Sequence, residues 1–289
     1  MNNNHLIIGY GNWAKKIIVF LKKKKFFSKI YIKTRNNYFQ LGKNRKLTKK
    51  ESIKMQQNVG SIHICTPLNS HFYYLRKFIK CKKIIIEKPF LKNTNELKKI
   101  QDSFSSKNLL LVNYTYLFNP ILNKLNDDIK SKTYKKIIIY FSKKNSFFEK
   151  KYDCINDWLD HPLSIILYLF NSFSNFKIVE KKFFKKNGFY EKIVINYFYK
   201  NTVIQIKINT LNENRKGIFV IKNLNKKIYN LNNNSIFFGK KKIFSSNKTS
   251  FDMLYSNIRN NVKPTFQNFL FHKKIIEERI KILRRIKND

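Results

Sequence analysis

The stretch HLIIGYGNWA, residues 5–14, decides how the first part of the chain folds. Its apolar start predicts a short buried strand, and WAKKIIVFLKKKK at 13–25 has the apolar spacing of a helix. Gly9 and Gly11 fall in the turn between them, and the chain's sole alanine is Ala14. Two glycines permit a tight turn and close approach of a ligand to the backbone, and a small third residue permits close helix packing. Together these features predict a nucleotide site.

Phosphates would face the start of this helix, at Asn12 and Trp13. Downstream, strands and helices alternate. Strands are predicted at 29–33, 61–65, 84–87 and 109–113, and helices at 71–80 and 95–104. Such alternation implies right-handed crossovers and a parallel sheet covered by helices. The predicted fold class is therefore α/β, with an N-terminal Rossmann domain, a doubly wound parallel sheet, at residues 1–118.

The pattern changes after Asn119 and Pro120. A strand at 135–141 and an apolar helix after His161 precede strands at 176–184, 192–199, 202–209 and 217–223, and helices follow from Phe251. Successive strands joined by short polar turns favour an antiparallel arrangement. Residues 119–289 are thus predicted to form an α+β domain with a mainly antiparallel open sheet. The polar clusters at 36–50 and 231–234 are predicted to be loops.

The composition leaves the origin of the charge open. A net charge of +43 would fit binding of nucleic acid or an anionic membrane. However, Lys, Asn, Ile, Phe and Tyr are abundant while Ala, Gly, Pro and Trp are scarce, as an AT-rich coding sequence would produce, and the lysines run from end to end. Compositional drift is the favoured explanation, so nucleic acid is not the expected partner. A basic nucleic-acid-binding protein stays the alternative.

The cysteines and apolar runs predict a cytoplasmic protein. Cys65, Cys81 and Cys154 lack metal-ligand spacing, so neither a disulfide nor a zinc site is expected. No signal peptide precedes the first strand, and the longest apolar run, 163–170, is too short to cross a bilayer. We therefore expect reduced thiols and no membrane partner.

The end of the second strand predicts the form of the nucleotide. Lys33, Thr34 and Arg35 should lie beside an adenosine ribose. An acidic residue would bind the ribose hydroxyls of NAD, whereas Thr34 and Arg35 can bind a 2′-phosphate, so NADP(H) is favoured. Alternatively, Arg35 is one more basic surface residue.

Two further motifs follow strands of the first domain. CTPLNSH, residues 65–71, follows one strand, and EKP, residues 87–89, ends the next. Ligands of open α/β sheets bind at the carboxyl ends of parallel strands, so both motifs are expected at one site. The alternative, that prolines merely punctuate strand ends, explains their positions but not the residues beside them.

The segment DWLDHP, residues 157–162, precedes the apolar helix of the second domain. Pro162 suits the first helical position, with Asp160 or His161 near the cap. Asp157 and His161 would then project from an ordered turn, where a carboxylate and an imidazole could converge. Alternatively, Asp160 is an ordinary cap and His161 a hydrogen-bonded histidine at a packing interface.

Taken together, these motifs and VNYTYLFNP at 112–120 occur in the order and approximate spacing of the glucose-fructose oxidoreductase, inositol dehydrogenase and MocA (Gfo/Idh/MocA) family. The chain resembles this family over most of the first domain and the start of the second. The resemblance implies an NAD(P)-dependent dehydrogenase or reductase acting on a CH-OH group of a sugar, nucleotide sugar or cyclic polyol. It also implies an open sheet suited to a homo-oligomer.

The resemblance also assigns site residues. Hydride transfer leaves one proton to be moved, and the matching positions give this task to Lys88 and His161, with Asp157 orienting the imidazole or holding a substrate hydroxyl. Leu159 and Ser164 depart from the family pattern, which puts the substrate in question more than the cofactor. A member that binds cofactor but has lost turnover is a further alternative. Around the cofactor the resemblance places Thr66, Pro67, Asn69, His71 and Glu87.

Overall fold

A computed structural model of the chain describes residues 4–287 except 26, 36, 43–44, 106, 132–133, 143–152, 187, 211–214 and 223–224. The chain forms two compact units. The first unit comprises Met1–Asn113 and Ser256–Ile276, and the second comprises Tyr114–Tyr255 and Glu277–Asp289. None of the helices in the part of the chain that the structure describes is long and apolar enough to cross a membrane.

The first unit contains a seven-stranded sheet. Its strands are β1 His5–Ile8, β2 Ile30–Lys33, β3 Tyr38–Gln40, β4 Arg45–Lys46, β5 Ser61–Ile64, β6 Lys83–Ile86 and β7 Leu109–Val112, in the order β4-β3-β2-β1-β5-β6-β7. Strands β2, β1, β5, β6 and β7 run parallel to one another. Strands β3 and β4 extend the sheet beyond β2 and pair antiparallel. The connecting helices are α1 Asn12–Lys24, α2 Lys49–Gln57, α3 His71–Lys77 and α4 Thr94–Ser103. The predicted doubly wound sheet is confirmed.

The core of this sheet follows from its sequence. Every residue of β1, β5 and β7 is buried, as expected of strands covered on both sides. Helix α1 buries Ala14, Ile17, Ile18 and Leu21, the spacing of one helical face. Because β2 lies on one side of β1 and β5 on the other, the strand order reverses beside β1, and ligands of such sheets bind at that position.

The prediction of a loop over residues 36–50 is wrong. This segment carries β3, β4 and the start of α2. The helix begins with a capping box, in which the Thr48 hydroxyl accepts from the Glu51 N–H at 3.2 Å and the Glu51 carboxylate accepts from the Thr48 N–H at 2.8 Å. Strand β4, the exposed pair Arg45–Lys46, forms the edge of the sheet, and both strands, with three and two residues, are too short to show an alternation of apolar residues.

The second unit contains an eight-stranded sheet. Its strands are β8 Lys136–Ser142, β9 Lys177–Lys186, β10 Phe189–Tyr199, β11 Thr202–Asn209, β12 Arg215–Lys222, β13 Asn225–Asn230, β14 Ser235–Phe238 and β15 Lys241–Ser245, in the order β15-β14-β13-β12-β8-β11-β10-β9. Strands β8 and β11 pair in parallel, and the other neighbours pair antiparallel. The predicted mainly antiparallel sheet is confirmed, and the turn predicted at 231–234 lies between β13 and β14.

Four further α-helices lie in the rest of the chain that the structure describes. They are α5 Ile121–Ser131, α6 Asp160–Phe170, α7 Ser250–Asn260 and α8 Phe269–Lys287. Pro162 is the third residue of α6, so its prediction at the first helical position is wrong. Proline is tolerated here because the first N–H groups of a helix have no partner within the helix.

Gln267, between α7 and α8, completes one edge of the first sheet. Its Oε1 accepts from the Val112 N–H at 2.8 Å, and its Nε2 donates to the Val112 carbonyl at 2.8 Å. One buried side-chain amide thus pairs both backbone groups of an edge-strand residue, as a further strand would. This contact belongs to the first unit, although the predicted boundary at 118/119 assigns residue 267 to the second domain. Nothing in the sequence pattern marks a single glutamine for this task.

Replacing Gln267 by leucine is expected to lower the free energy of unfolding by about 2 to 6 kcal/mol, because two buried backbone groups lose their partners at roughly 1–3 kcal/mol each. Urea denaturation measures the change. The matched control is Gln101→Leu, an exposed position of α4, where we expect almost no change. Equal stability of the two variants would contradict the role of Gln267.

His272 in α8 makes stability depend on pH. Its buried ring lies 5.0 Å from that of Phe90, and burial, followed by the charge of Lys263, lowers its pKa to about 3. The unfolded histidine has a pKa of about 6.5, so the unfolded chain binds the extra proton below that pH. The contribution of neutral His272 to the free energy of unfolding is therefore complete above pH 6.5. It is lost on acidification, by about 2 kcal/mol between pH 7 and pH 5.

Substituting His272 by leucine tests this dependence. The variant should show a flatter loss of stability in urea denaturation at pH 7, 6 and 5. A residual slope is expected, because burial also lowers the pKa values of His63 and His71. A slope identical to that of the wild type would rule out the contribution of His272.

Candidate cofactor and substrate site

The turn after β1 requires glycine at its first position. Gly9 has a φ of +95°, which L side chains rarely adopt, and a Cβ there would lie 2.5 Å from the carbonyl oxygen of Cys65. Ala14 follows in α1 and is fully buried. The geometry agrees with the prediction, because Gly9 permits the tight turn and the small Ala14 permits close packing of α1.

Gly11 is open on the side where a side chain would project. Its φ is −77°, and no described atom lies within 4 Å of a Cβ built there. It caps α1, whose first turn has no acidic residue and no side-chain cap. The first N–H groups of a helix lack partners within it and attract anions, so the opening fits a phosphate group. Asn12 is exposed and Trp13 half-buried beside it.

The end of β2 carries Lys33, a buried lysine that was predicted, with Thr34 and Arg35, to lie beside the ribose. Lys33 Nζ donates to the carbonyls of Thr34 at 3.0 Å and Arg35 at 3.1 Å. It also lies 5.2 Å from the ring centroid of Tyr38 and 5.7 Å from that of Tyr74. Burial, and then the charge of Lys77, lowers the pKa of Lys33. Arg35 itself is exposed, so the end of β2 presents positive charge.

The loop after β5 is held by short-range hydrogen bonds. The Ser70 hydroxyl donates to Thr66 Oγ1 at 2.7 Å and lies 2.9 Å from the Pro67 carbonyl. Pro67 and Asn69 are exposed in this loop, whereas His71 is only 1% exposed. His71 was predicted to lie near the cofactor. In the structure, its ring nitrogens point at backbone carbonyls.

The EKP motif follows β6 directly. Asn113 Nδ2 donates to the Glu87 carboxylate at 2.6 Å, and the Glu87 N–H donates to the Ile64 carbonyl at 3.0 Å. Burial raises the pKa of Glu87 to about 8, against the opposing effects of Asn113, Lys88 and Trp13. Lys88 is half-buried, and its bond to Pro89 is cis. A carboxyl that holds its proton near neutral pH thus stands beside the candidate lysine.

In the second unit, His161 lies among aromatic rings. Ring centroids of Tyr116, Phe141 and Trp158 are 4.7, 5.8 and 6.1 Å from that of His161. Lys216 Nζ lies 5.3 Å from the Tyr116 centroid and 5.0 Å from the Trp158 centroid. The imidazole is buried in the first turn of α6. An aromatic surround of this kind fixes the ring and keeps bulk water from most of its surface.

Asp157 and Asp160 have structural contacts in the same unit. The Asp157 carboxylate accepts from the Asp153 N–H at 2.9 Å, within the π-helical turn Cys154–Trp158. Asp160 is the first residue of α6, and its carboxylate lies 3.9 Å from Arg279 Nη1, both side chains being buried. Convergence of the Asp157 carboxylate with the His161 imidazole therefore stays a prediction.

Comparison with known proteins identifies the fold. No family model matches the chain, and no curated protein matches it. Solved structures do match: the UDP-N-acetylglucosamine 3-dehydrogenase GnnA from Acidithiobacillus ferrooxidans has a TM-score of 0.77 at 12% identity, covering 98% of this chain and 97% of that one. The dehydrogenase MviM from Clostridium difficile has a TM-score of 0.75 at 16% identity, covering 100% and 99%. A Gfo/Idh/MocA family oxidoreductase from Vibrio cholerae has a TM-score of 0.66 at 12% identity, covering 99% and 100%.

The chain has the Gfo/Idh/MocA fold. Within this fold, the first unit brings the Gly9–Gly11 turn, the Thr66 loop and Lys88 to the carboxyl ends of neighbouring parallel strands, β1, β5 and β6. Sequence reasoning named Lys33 only as part of the end of the second strand and missed Lys216, because lysine is too frequent in this chain to stand out. Tyr116 and Trp158 could have been noticed, since both lie inside motifs that were already singled out.

Proposed function

We propose that the chain is a nicotinamide-dependent oxidoreductase of the Gfo/Idh/MocA family. Its substrate would be a hydroxyl or carbonyl group of a sugar, nucleotide sugar or cyclic polyol. The observation that carries this proposal is the turn after β1, where Gly9 is sterically required and Gly11 leaves an open approach to the start of α1. The matched fold of a UDP-N-acetylglucosamine 3-dehydrogenase supports a sugar-like substrate.

Residues of the first unit would hold the cofactor. The start of α1, at Gly11, Asn12 and Trp13, suits a pyrophosphate, and the basic end of β2 suits the adenosine ribose. Thr66 and Pro67, in the loop after β5, would flank the nicotinamide. When bound, that ring accepts or supplies the hydride.

Lys88 would move the proton that hydride transfer leaves behind. In oxidation of an alcohol, the carbon loses a hydride and the oxygen must lose a proton to a nearby base. Lys88 can serve while its amine is neutral, which is the form that accepts a proton. We assign His161 as the second proton carrier, because an imidazole can both accept a proton and return it.

The basic end of β2 leads us to expect tighter binding of NADPH than of NADH. Arg35→Asp should weaken NADPH binding by roughly 10- to 100-fold, since a charge-assisted hydrogen bond contributes about 1.5–3 kcal/mol, and should leave NADH binding unchanged or tighten it, because a carboxylate there can bind the ribose hydroxyls. Nicotinamide fluorescence titration measures both. Lys98→Asp, exposed in α4, changes the net charge equally and is the control. The same NADPH to NADH ratio in both variants would rule out a role for Arg35.

The proposal as a whole is tested in two steps. The wild-type protein is first titrated with NADH and NADPH, and binding of either is the expected result. Sugars, nucleotide sugars and cyclic polyols are then screened by nicotinamide absorbance. Failure to bind either cofactor would overturn the proposal, and nucleic-acid binding that weakens steeply with salt would then favour the alternative. Binding without any turnover would favour a member that has lost catalysis.

A further inference from the structure

His71, the first residue of α3, lies between two segments of the candidate site. Its Nε2 is 2.7 Å from the carbonyl oxygen of Thr66, in the loop after β5. On the other side, its Nδ1 is 2.9 Å from the Pro89 carbonyl oxygen and 3.1 Å from that of Phe90. A single imidazole therefore contacts both the loop that would flank the nicotinamide and the residue that follows Lys88.

The surroundings of His71 make it unsuited to touch a ligand itself. The side chain is only 1% exposed, and its polar neighbours at hydrogen-bond distance are backbone carbonyls. Burial lowers the pKa of His71, against the opposing effects of these carbonyls and Glu96, so the neutral ring prevails at pH 7. A neutral imidazole has one N–H, so it donates to one of the two segments and sets the distance to the other by packing against it.

We propose that His71 is a positioning residue that fixes the spacing between the Thr66 loop and the Lys88–Pro89 segment. Through this link, the groups that would bind the nicotinamide and move the proton keep one relative placement. The inference rests on the proposed function. The physical reason is that reacting groups misplaced by about 1 Å can lose roughly 100-fold in rate.

Two substitutions separate the two halves of the link. The amide nitrogen of asparagine is as many bonds from Cα as His Nδ1, so His71→Asn can still donate to the Pro89 or Phe90 carbonyl. Glutamine places its amide nitrogen as far out as Nε2, so His71→Gln can still donate to Thr66. Both variants lose one contact, and both should lose some stability in urea denaturation.

Each variant is tested by two readouts on the full chain. NADPH affinity, from nicotinamide fluorescence, reports the Thr66 loop. The rate at which acetic anhydride labels Lys88 across pH 6–10, from mass spectrometry, reports the amine. We expect His71→Asn to weaken NADPH binding at least about tenfold with normal labelling, and His71→Gln to change Lys88 labelling severalfold with normal NADPH affinity.

Parallel changes in both readouts, in proportion to lost stability, would show that His71 is only structural and overturn the inference. No change in either readout would overturn it too. If wild-type protein binds no nicotinamide, the proposed function fails and this inference falls with it. If the wild type binds and the variants do not separate, the inference alone fails.

Discussion

Lys88→Ala is expected to reduce turnover by about 10²- to 10⁴-fold, the usual contribution of a positioned acid or base, while NADPH binding stays close to normal. The lysine lies two residues after the end of β6 and next to Glu87, whose pKa burial raises to about 8. Turnover would be measured with the substrate found in the screen, and affinity by nicotinamide fluorescence.

A second substitution separates charge from proton transfer. Lys88→Arg keeps the positive charge, but a guanidinium does not release a proton in the working pH range, so turnover should fall as well. The control is Lys82→Ala, an exposed lysine just before β6, where we expect normal turnover. Near-normal turnover of Lys88→Ala with intact cofactor binding would remove Lys88 from the mechanism.

Alanine substitutions at the two glycines of the β1–α1 turn should have different effects, one on cofactor affinity and the other on the stability of the fold. Gly11→Ala should fold normally, because its φ of −77° suits alanine and the described structure leaves its Cβ free of contacts. The added methyl group would occupy the opening proposed for the pyrophosphate. Overpacking costs about 1–3 kcal/mol, so NADPH affinity should fall roughly 5- to 150-fold.

Gly9→Ala is the matched counterpart, since it adds the same methyl group two residues earlier. Its Cβ would lie 2.5 Å from the Cys65 carbonyl oxygen at a φ of +95°. Backbone strain and overpacking together should destabilise the fold by about 2 to 6 kcal/mol. Urea denaturation and NADPH titration of both variants give the comparison. Normal NADPH affinity in a folded Gly11→Ala variant would contradict the proposed placement of the pyrophosphate.

The sequence predicted those parts of the fold that local patterns determine. Strand β1 and helix α1 were predicted within a residue or two, because apolar period and glycine placement agree there. Strands β3 and β4 were missed because three and two residues are too few to show an apolar alternation. Strands β13 and β15 were missed because polar residues interrupt their apolar ones, and β14 was missed because its four residues directly follow the polar cluster at 231–234.

The candidate site was predictable only where a motif marked it. The motifs led to Gly9, Gly11 and Lys88, and the structure places these three at the carboxyl ends of parallel strands. They did not indicate whether a side chain points outward, and His71 proved to be buried against backbone carbonyls. Long-range contacts such as that of Gln267 with Val112 leave no local signal, because they depend on how distant segments meet.

The contact of Gln267 with Val112 has a consequence during synthesis of the chain. The two residues are 155 positions apart, so the first sheet emerges from the ribosome well before its edge is covered. At about 5–20 residues per second, this delay lasts on the order of 8–30 s. During that interval β7 presents unpaired backbone groups that can pair with another nascent chain. Translation speed between the codons for Val112 and Gln267, just over half of the message, would therefore set how much protein is lost to aggregation before the fold closes.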